Sequence, residues 1–524
     1  MWLGLFTDFV TLSKLGLLKQ CTLNSASSID DLIQLEVLAV GAMVAVASKK
    51  RENVAPYVVT ALSTLTHRGA DAHGIGTHDS ILTAKSLGEI SEGRVSSNLV
   101  LGHSLSRTFS QDQPQPVLGD GFSFVFEGRL FPSPVLPEVE EILKILKPNP
   151  QKNAELIIEK LDGSYVFAVV HHNSLLIGRD MMGTSPLYYG ENETISAVAS
   201  ERKALWKLDI TNTNSFPPGN LAEMSPQGFH FRTIRTIAQT PVEPIGLEMA
   251  TTRLQNILLE AVRKQVSDVE DVSVAFSGGL DSSVIAALAK ACGKRVHLIT
   301  VSVGSQPEAQ HAKVAAEELS LFHHLQTYTL EDVEQVLPKV LWLIEEQDLV
   351  KVGVAIPFYW IAETASTLGS KILLAGQGAD ELFGGYQRYL RIYAECGAQA
   401  VQNALLHDAA FSYEQNFQRD NQVCSSHGIE LRLPFVDPEV ASFALSLPLN
   451  LKIESPKDIF RKKALRQTAQ NIHIPQFIAC RHRKAVQYAT GVDKALRKLA
   501  QEKGLTANEY LAEVFGEVYP CIAK

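Results

Sequence analysis

Six consecutive residues, Ser277-Gly278-Gly279-Leu280-Asp281-Ser282, follow the apolar run Ser273-Val274-Ala275-Phe276 and lead into the helical pattern SVIAALAKACG (283–293). Glycine lets a backbone turn sharply and come close to a phosphate. The first N–H groups of the following helix have no intrahelical partner and make an anion site. Ser277 and Ser282 add hydroxyl donors. Asp281 repels phosphate unless it holds a cation, and Mg²⁺ on pyrophosphate oxygens meets that need. The chemistry that suits this set is cleavage of ATP to AMP and pyrophosphate. A bare Gly-Gly turn between a strand and a helix needs no ligand, but Ser-Gly-Gly-x-Asp-Ser in that context is far more specific. The loop has neither Gly-x-x-x-x-Gly-Lys-Ser/Thr nor Gly-x-Gly-x-x-Gly, which excludes a Walker site and leaves dinucleotide binding without support.

A second loop, in ILLAGQGADELFGGYQRY (372–389), sets Gly376, Gly378, Gly384 and Gly385 around Asp380 and Glu381. Taken alone, Asp380 could simply cap a helix. Ligands of open parallel sheets sit beyond the carboxyl ends of strands, so Asp281 and Asp380 are expected to share a metal.

These loops need a parallel sheet, and the pattern from about residue 247 supplies one. Helical periodicity at 249–266 precedes a strand at 273–277, a helix from 283 to 290 with Gly293 at its end, and a strand at 296–303. Helices near 310–320 and 331–346 and a strand at 371–376 follow. Strand–helix alternation means a parallel sheet covered by helices. Beyond residue 430 the chain reads as mostly helical. From Gly41 to about Thr240, short β-rich runs at 42–48, 122–128, 164–172 and 174–180 alternate with turns, and helices are expected at 54–69 and 154–163. That pattern suggests packed antiparallel sheets. TPVEPIG (240–246) reads as a hinge and NSASSIDD (24–31) as a linker or helix start. The expected organisation is an extension at 1–40, a first domain at 41–240 and a second at 241–524.

With 524 residues the chain exceeds one ordinary core. It is 45% hydrophobic and 20% charged, with a formal charge of −9. An acidic balance argues against nucleic acid as the main partner. The six cysteines are scattered without a Cys-x-x-Cys pair, which fits a reducing compartment and no zinc site. The apolar start lacks a basic region and a cleavage site, and no run spans a bilayer. A soluble cytoplasmic protein is expected, with oligomerisation left open.

The two loops together resemble those of the glutamine-dependent asparagine synthetases. The likeness extends to LTHRGADAHG (65–74), LGH (101–103), GRDMMGTSPLYY (178–189), SERKAL (200–205), FPPGN (216–220), HGIELRLPFVDPEV (427–440), KKALR (462–466) and RHRKAVQY (481–488). The Gln-Gly-Ala-Asp-Glu form and the RKAVQY tail look most like archaeal members and the asparagine synthetase domain-containing protein. The resemblance implies an α/β protein: an amino-terminal Ntn-hydrolase-like αββα sandwich of the glutamine amidotransferase type, then a Rossmann-like parallel-sheet ATP-pyrophosphatase domain. It implies adenylation of aspartate, or a similar carboxylic acid, by ATP, with ammonia displacing AMP. Ser277, Gly278, Gly279, Asp281 and Ser282 would hold pyrophosphate, and Asp281 and Asp380 would bind Mg²⁺. Ala275, Phe276, Val303, Ala375 and Gly376 would line the ATP site. Gln377 would lie near the acyl-adenylate, and Arg483 or Lys484 matches the family's lysine near the phosphates.

Several positions depart from the family. Its nucleophilic cysteine is replaced by Gly41, which is internal and has no free α-amino group to act as base. Cys21 is followed by Thr-Leu and lies too far from the strand to substitute. The oxyanion Asn-Gly is Glu127-Gly128, and a carboxylate repels an oxyanion. The glutamine-binding arginine is replaced by Ser104-Leu105. The first half is therefore expected to be degenerate, with ammonia favoured over glutamine. In the second half Gln377 replaces a glutamate; it can hydrogen-bond but cannot act as a base. Aspartate-driven exchange is expected to rise in Gln377→Glu. A non-catalytic regulatory protein of the same fold, or another ATP-pyrophosphatase amidoligase, are the alternatives.

Overall fold

The computed structural model describes residues 41–524 except 92–94, 239, 483, 521, 523 and 524. The expectations for the 1–40 extension, for Cys21 and for Arg483 lie outside the described residues.

Strand Ala42–Ser48 shows how the first half is layered. Its odd and even residues face opposite ways. Ala42, Val44 and Val46 pack with Val58, Ala61 and Leu62 of helix Ala55–Ser63. Met43, Ala45 and Ala47 pack against Val125, Val166 and Ala168 of a second sheet. Both faces are buried, so the strand reads as one continuous apolar run.

The first sheet has the order Thr213–Ser215, Tyr188–Glu191, Ile195–Ala199, Ala42–Ser48, Leu99–Leu105, Ala72–Gly76, Ile81–Ala84. The second has the order Gly228–Thr233, Asn220–Ser225, Ser174–Arg179, Gly163–His171, Phe122–Leu130, Val117–Leu118. All pairings in both are antiparallel. Helices Glu138–Leu146 and Pro150–Lys160 cover the outer face of the second sheet. The result is an αββα sandwich.

The helix expected over 54–69 ends at Ser63, and a short 3₁₀ turn follows at Thr66–Arg68. The chain there must run against strand Leu99–Leu105. A side chain at Gly69 would meet the backbone of Ser104 and Leu105 at 2.7–2.9 Å.

The second half holds a wholly parallel sheet in the order Phe322–Tyr328, Arg295–Val303, Asp271–Ala275, Ile372–Leu374, Glu430–Arg432. Helices Leu247–Gln265, Leu280–Ala291, Leu330–Ile344 and Leu349–Thr367 share its core. From Asp271–Ala275 the chain adds strands on one side, then crosses to Ile372–Leu374 on the other. The topological switch point therefore lies between these two central strands. Among the described residues no helix is long and apolar enough to cross a membrane. No disulfide links the described cysteines Cys292, Cys396, Cys424 and Cys480.

Candidate functional site

Both acidic loops leave the two strands that flank the switch point. Helix Leu280–Ala291 begins at Gly279 without a side-chain cap, so its first-turn N–H groups remain available to an anion. Ser282 Oγ donates to Gly279 O at 3.3 Å and accepts from Ser277 N at 3.3 Å, which ties the loop into a ring. Gly278 has φ +67°, and a side chain there would lie 2.8 Å from Ala312 Cα. The two loops touch: a Cβ on Gly376 would come within 2.9 Å of Asp281 Cβ.

A cavity of about 200 Å³ opens over this point. It is lined by Ala275, Phe276, Ser277, Gly279, Asp281, Ser282, Ala375, Gly376, Gln377, Asp380 and Lys484, which brings together most of the residues expected from the sequence. Gly278 and Val303 are not among its lining residues. Val303 instead bonds through its backbone N–H to Thr490 O at 2.8 Å, and Thr300 and Val301 supply that strand's share of the wall. Phe358 and Ile361 form an apolar side.

Lys462 was not singled out by sequence reasoning, although it lies in the KKALR segment. Its ammonium is 2.8 Å from both oxygens of Asp281 and 2.7 Å from Oδ1 of Asp380. Lys462 is only 4% exposed. Arg461 and Lys462 both have positive φ, +50° and +51°, a region that non-glycine residues rarely visit and that clusters at functional sites. The bend turns the side chain onto the two carboxylates. Gly385 leaves room for this contact, because a Cβ there would overlap Asp380 and Lys462. Arg461, Arg466 and Arg481 add further positive charge to the wall. Among the described lining residues five cations (Arg461, Lys462, Arg466, Arg481, Lys484) outnumber three carboxylates (Asp281, Glu308, Asp380) by two. A chain with net charge −9 thus holds a locally positive cavity, suited to a polyphosphate.

Two carboxylates converging within 2.8 Å of one cation are also a fitting donor set for Mg²⁺, which takes one or two carboxylates and completes its shell with phosphate oxygens and water. No cluster of three or more metal-ligating side chains occurs among the described residues. Gln377 is held by a neighbour. Its Nε2 donates to Asp420 Oδ2 at 2.6 Å, and Arg419 Nε donates to Asp420 Oδ1 at 2.8 Å. Asp420 is fully buried, and burial pushes its carboxyl above the usual range.

The positions expected to carry glutaminase chemistry also lie together, but in a buried ionic cluster. Arg68 Nε donates to Gly41 O at 3.1 Å, and its other nitrogens donate to Glu127, Glu201 and Ser425 at 2.9–3.2 Å. Glu201 also pairs with His67 and Lys203, and those charges hold it below the usual carboxylate range despite its burial. Glu127 shares Arg68 with Glu201, so burial prevails and raises it to about 7. Burial lowers His67 to about 4. Ser104 Oγ is bonded to His73 Nδ1 at 2.8 Å. Gly128 has φ +123°, and a side chain there would collide with the backbone of Ser164. The cluster crosses to the second half: Glu345 accepts the N–H groups of Arg202 and Lys203 at 2.8 and 2.6 Å.

Comparison with known proteins identifies the class as a carbon–nitrogen ligase with an amidotransferase-type first half. The Asparagine synthase family profile matches residues 253–397 and 393–516, and a Glutamine amidotransferase domain profile matches 138–207. A provisionally named glutamine-hydrolyzing asparagine synthetase 1 of Methanocaldococcus jannaschii is 31% identical over 88% of this chain and 96% of its own. The glutamine-hydrolyzing asparagine synthetase of Brassica oleracea is 28% identical over 65% of this chain and 60% of its own. The glutamine phosphoribosylpyrophosphate amidotransferase of B. subtilis, complexed with ADP and GMP, is 16% identical with a TM-score of 0.34 over 55% of this chain and 81% of its own, too distant to carry its ligands over. The chain belongs to the asparagine synthase family, whose members form amides at the expense of ATP.

Proposed function

We propose that this chain converts aspartate to its amide through β-aspartyl-AMP, with free ammonia as the nitrogen donor. The observation that carries this reading is the convergence of Asp281, Asp380 and Lys462 in a net-positive cavity at the switch point. The aspartate side-chain oxygen attacks the α-phosphorus of ATP, the bond to the bridging oxygen breaks, and negative charge collects on pyrophosphate. Lys462, the first-turn N–H groups of helix Leu280–Ala291 and the hydroxyls of Ser277 and Ser282, which lie at the cavity, would take up that charge. Asp281 and Asp380 would hold Mg²⁺, which when bound adds positive charge at the same oxygens. Ammonia then attacks the acyl carbon, AMP leaves, and the amide nitrogen gives up a proton.

The locked Gln377–Asp420 pair favours a second reading, in which a different carboxylic acid is activated. Mass spectrometry separates the two. Purified protein with ATP, Mg²⁺, aspartate and ammonium should yield AMP and asparagine in equal amounts. AMP formation with another acid and none with aspartate would replace the substrate; no AMP with any acid would leave a binding protein of this fold.

A further inference from the structure

A second pocket, of about 50 Å³, remains beside Gly41, and its charge is opposite to that of the nucleotide cavity. Four carboxylates line it: Asp112, Glu127, Glu138 and Glu430. Among the described lining residues Arg129 is the one cation, and it is already divided. It makes two bonds to Asp112 at 2.7 and 2.9 Å and one to Glu430 at 3.0 Å, and it lies 3.7 Å from Glu138. Behind the wall, Arg68 serves Glu127 and Glu201 together. Even with Arg68 and with Arg432, which donates to Glu430 at 2.7 Å, counted in full, three guanidiniums among the described residues face four carboxylates.

The shortfall falls on particular atoms. Glu138 is 6% exposed, yet its Oε1 has no hydrogen-bond partner among the described residues. His103, 2% exposed, also lines the pocket and leaves Nδ1 without a partner. Burial lowers His103 to about 4, so its ring is neutral near pH 7 and has a lone pair to offer. Buried polar atoms are rarely left bare. A ligand that removes both deficits must bring positive charge and N–H donors, and it must be small. By the same measure the pocket has a quarter of the volume of the nucleotide cavity. The α-carboxylate of glutamine would face this acidic wall, and Arg129, the one guanidinium among the described lining residues, is committed to Asp112 and Glu430.

We propose that this pocket binds ammonium, held between the Glu138 carboxylate and the His103 imidazole. Its use as a reservoir for amide formation rests on the function proposed above, but the binding itself does not. A metal cation such as K⁺ carries the same charge but brings no N–H donor to His103.

The test uses crystals of the full chain soaked in a thallium(I) salt, whose ion carries ammonium's charge at a similar size and scatters anomalously. A thallium peak is expected in the pocket within contact of Glu138. In chloride-free solution it should be displaced by ammonium nitrate at lower concentration than by potassium nitrate. Glu138→Gln, checked for folding by its thermal transition, should raise the ammonium needed for half-displacement at least about tenfold, the equivalent of one lost charge-assisted hydrogen bond. An empty pocket in the wild-type crystals overturns the proposal, as does displacement by potassium in preference to ammonium. Amide formation by a protein whose pocket takes no ion would defeat this inference alone. An occupied pocket in a protein that makes no amide would defeat the proposed function alone.

Discussion

The ammonium of Lys462 lies 2.8 Å from each carboxylate oxygen of Asp281, a residue 181 positions away in the chain. A lysine bracketed by acids is neutralised at rest, and it becomes useful when a polyphosphate arrives. Lys462→Met should lower aspartate-dependent pyrophosphate–ATP exchange by about 10²–10³, the usual cost of removing one preorganised charge from a transition state. Lys462→Arg should recover little, since a planar fork cannot replace a point charge that meets two carboxylates. Near wild-type exchange in Lys462→Met would remove it from the site.

The two acids carry the complementary prediction. Asp281→Asn and Asp380→Asn should each abolish Mg²⁺-dependent pyrophosphate release, because each removes half of the pair that faces the cation. Chelation of Mg²⁺ should have the same effect on the wild type. The check is a magnesium titration of exchange, and full turnover at ordinary magnesium in either variant would refute the assignment.

The contact between Gln377 and Asp420 bears on the effect expected from sequence for Gln377→Glu. A glutamate at 377, as the family has it, looked like a gain. At 2.6 Å from Asp420 it would bring a second carboxylate against a fully buried one whose paired cation is Arg419. Gln377→Glu should therefore lower exchange and stability together, and Gln377→Glu combined with Asp420→Asn should restore both. The double-mutant cycle reads the coupling directly; additive effects would show that the contact is not energetic.

Much of this architecture could be read from the chain because its signals are local. The strand before Ser277, the helix after it and the Gly-rich loop around Asp380 each follow from runs of fewer than twenty residues. What could not be read depends on pairing across the fold. Strand Glu430–Arg432 falls where the chain begins to read as mostly helical; in the structure Arg432 is satisfied by Glu430 and by two bonds to Asp268. Lys462 gave no signal because its partners lie in two distant loops. The same holds for Arg68: its segment resembled the family's, but its commitment to Glu127, Glu201 and the Gly41 carbonyl has no trace in spacing.

Glu127 makes the stability of the first half depend on pH in a fixed direction. Burial raises its folded value to about 7 from 4.5, so between these values the native state binds more protons than the unfolded one. Its contribution to stability therefore falls as pH rises through that window. Glu127→Gln has no such titration. Relative to wild type it should gain on the order of 3 kcal/mol between pH 4.5 and 7, at about 1.4 kcal/mol per unit, with little further change above. His67 and His103, both lowered to about 4, act in both proteins and cancel in the difference. Denaturant unfolding at several pH values checks this; a constant difference would mean that Glu127 titrates normally.

The last prediction concerns glutamine. Installing the missing nucleophile as Gly41→Cys should not produce glutaminase activity. A Cβ at 41 would meet Ser104 O at 3.0 Å and His103 Nε2 at 3.2 Å, so the thiol would enter a crowded corner. The carbonyl of residue 41 is already engaged by Arg68. Where an oxyanion donor is required, Glu127 presents a carboxylate fixed by Arg68 and Ser200. Removing one such donor costs about 3–4 kcal/mol of barrier, and replacing it with an acid costs at least that. Ser104, at the position of the substrate-binding arginine, is bonded to His73 and carries no charge. Restoring one group leaves the others missing, and groups that act as a unit do not add singly. The measurement is glutamate release from glutamine by wild type and by Gly41→Cys, with ATP and aspartate present. Release above a protein-free blank that a cysteine alkylator stops would establish glutamine as the nitrogen source and show that the buried cluster opens during turnover.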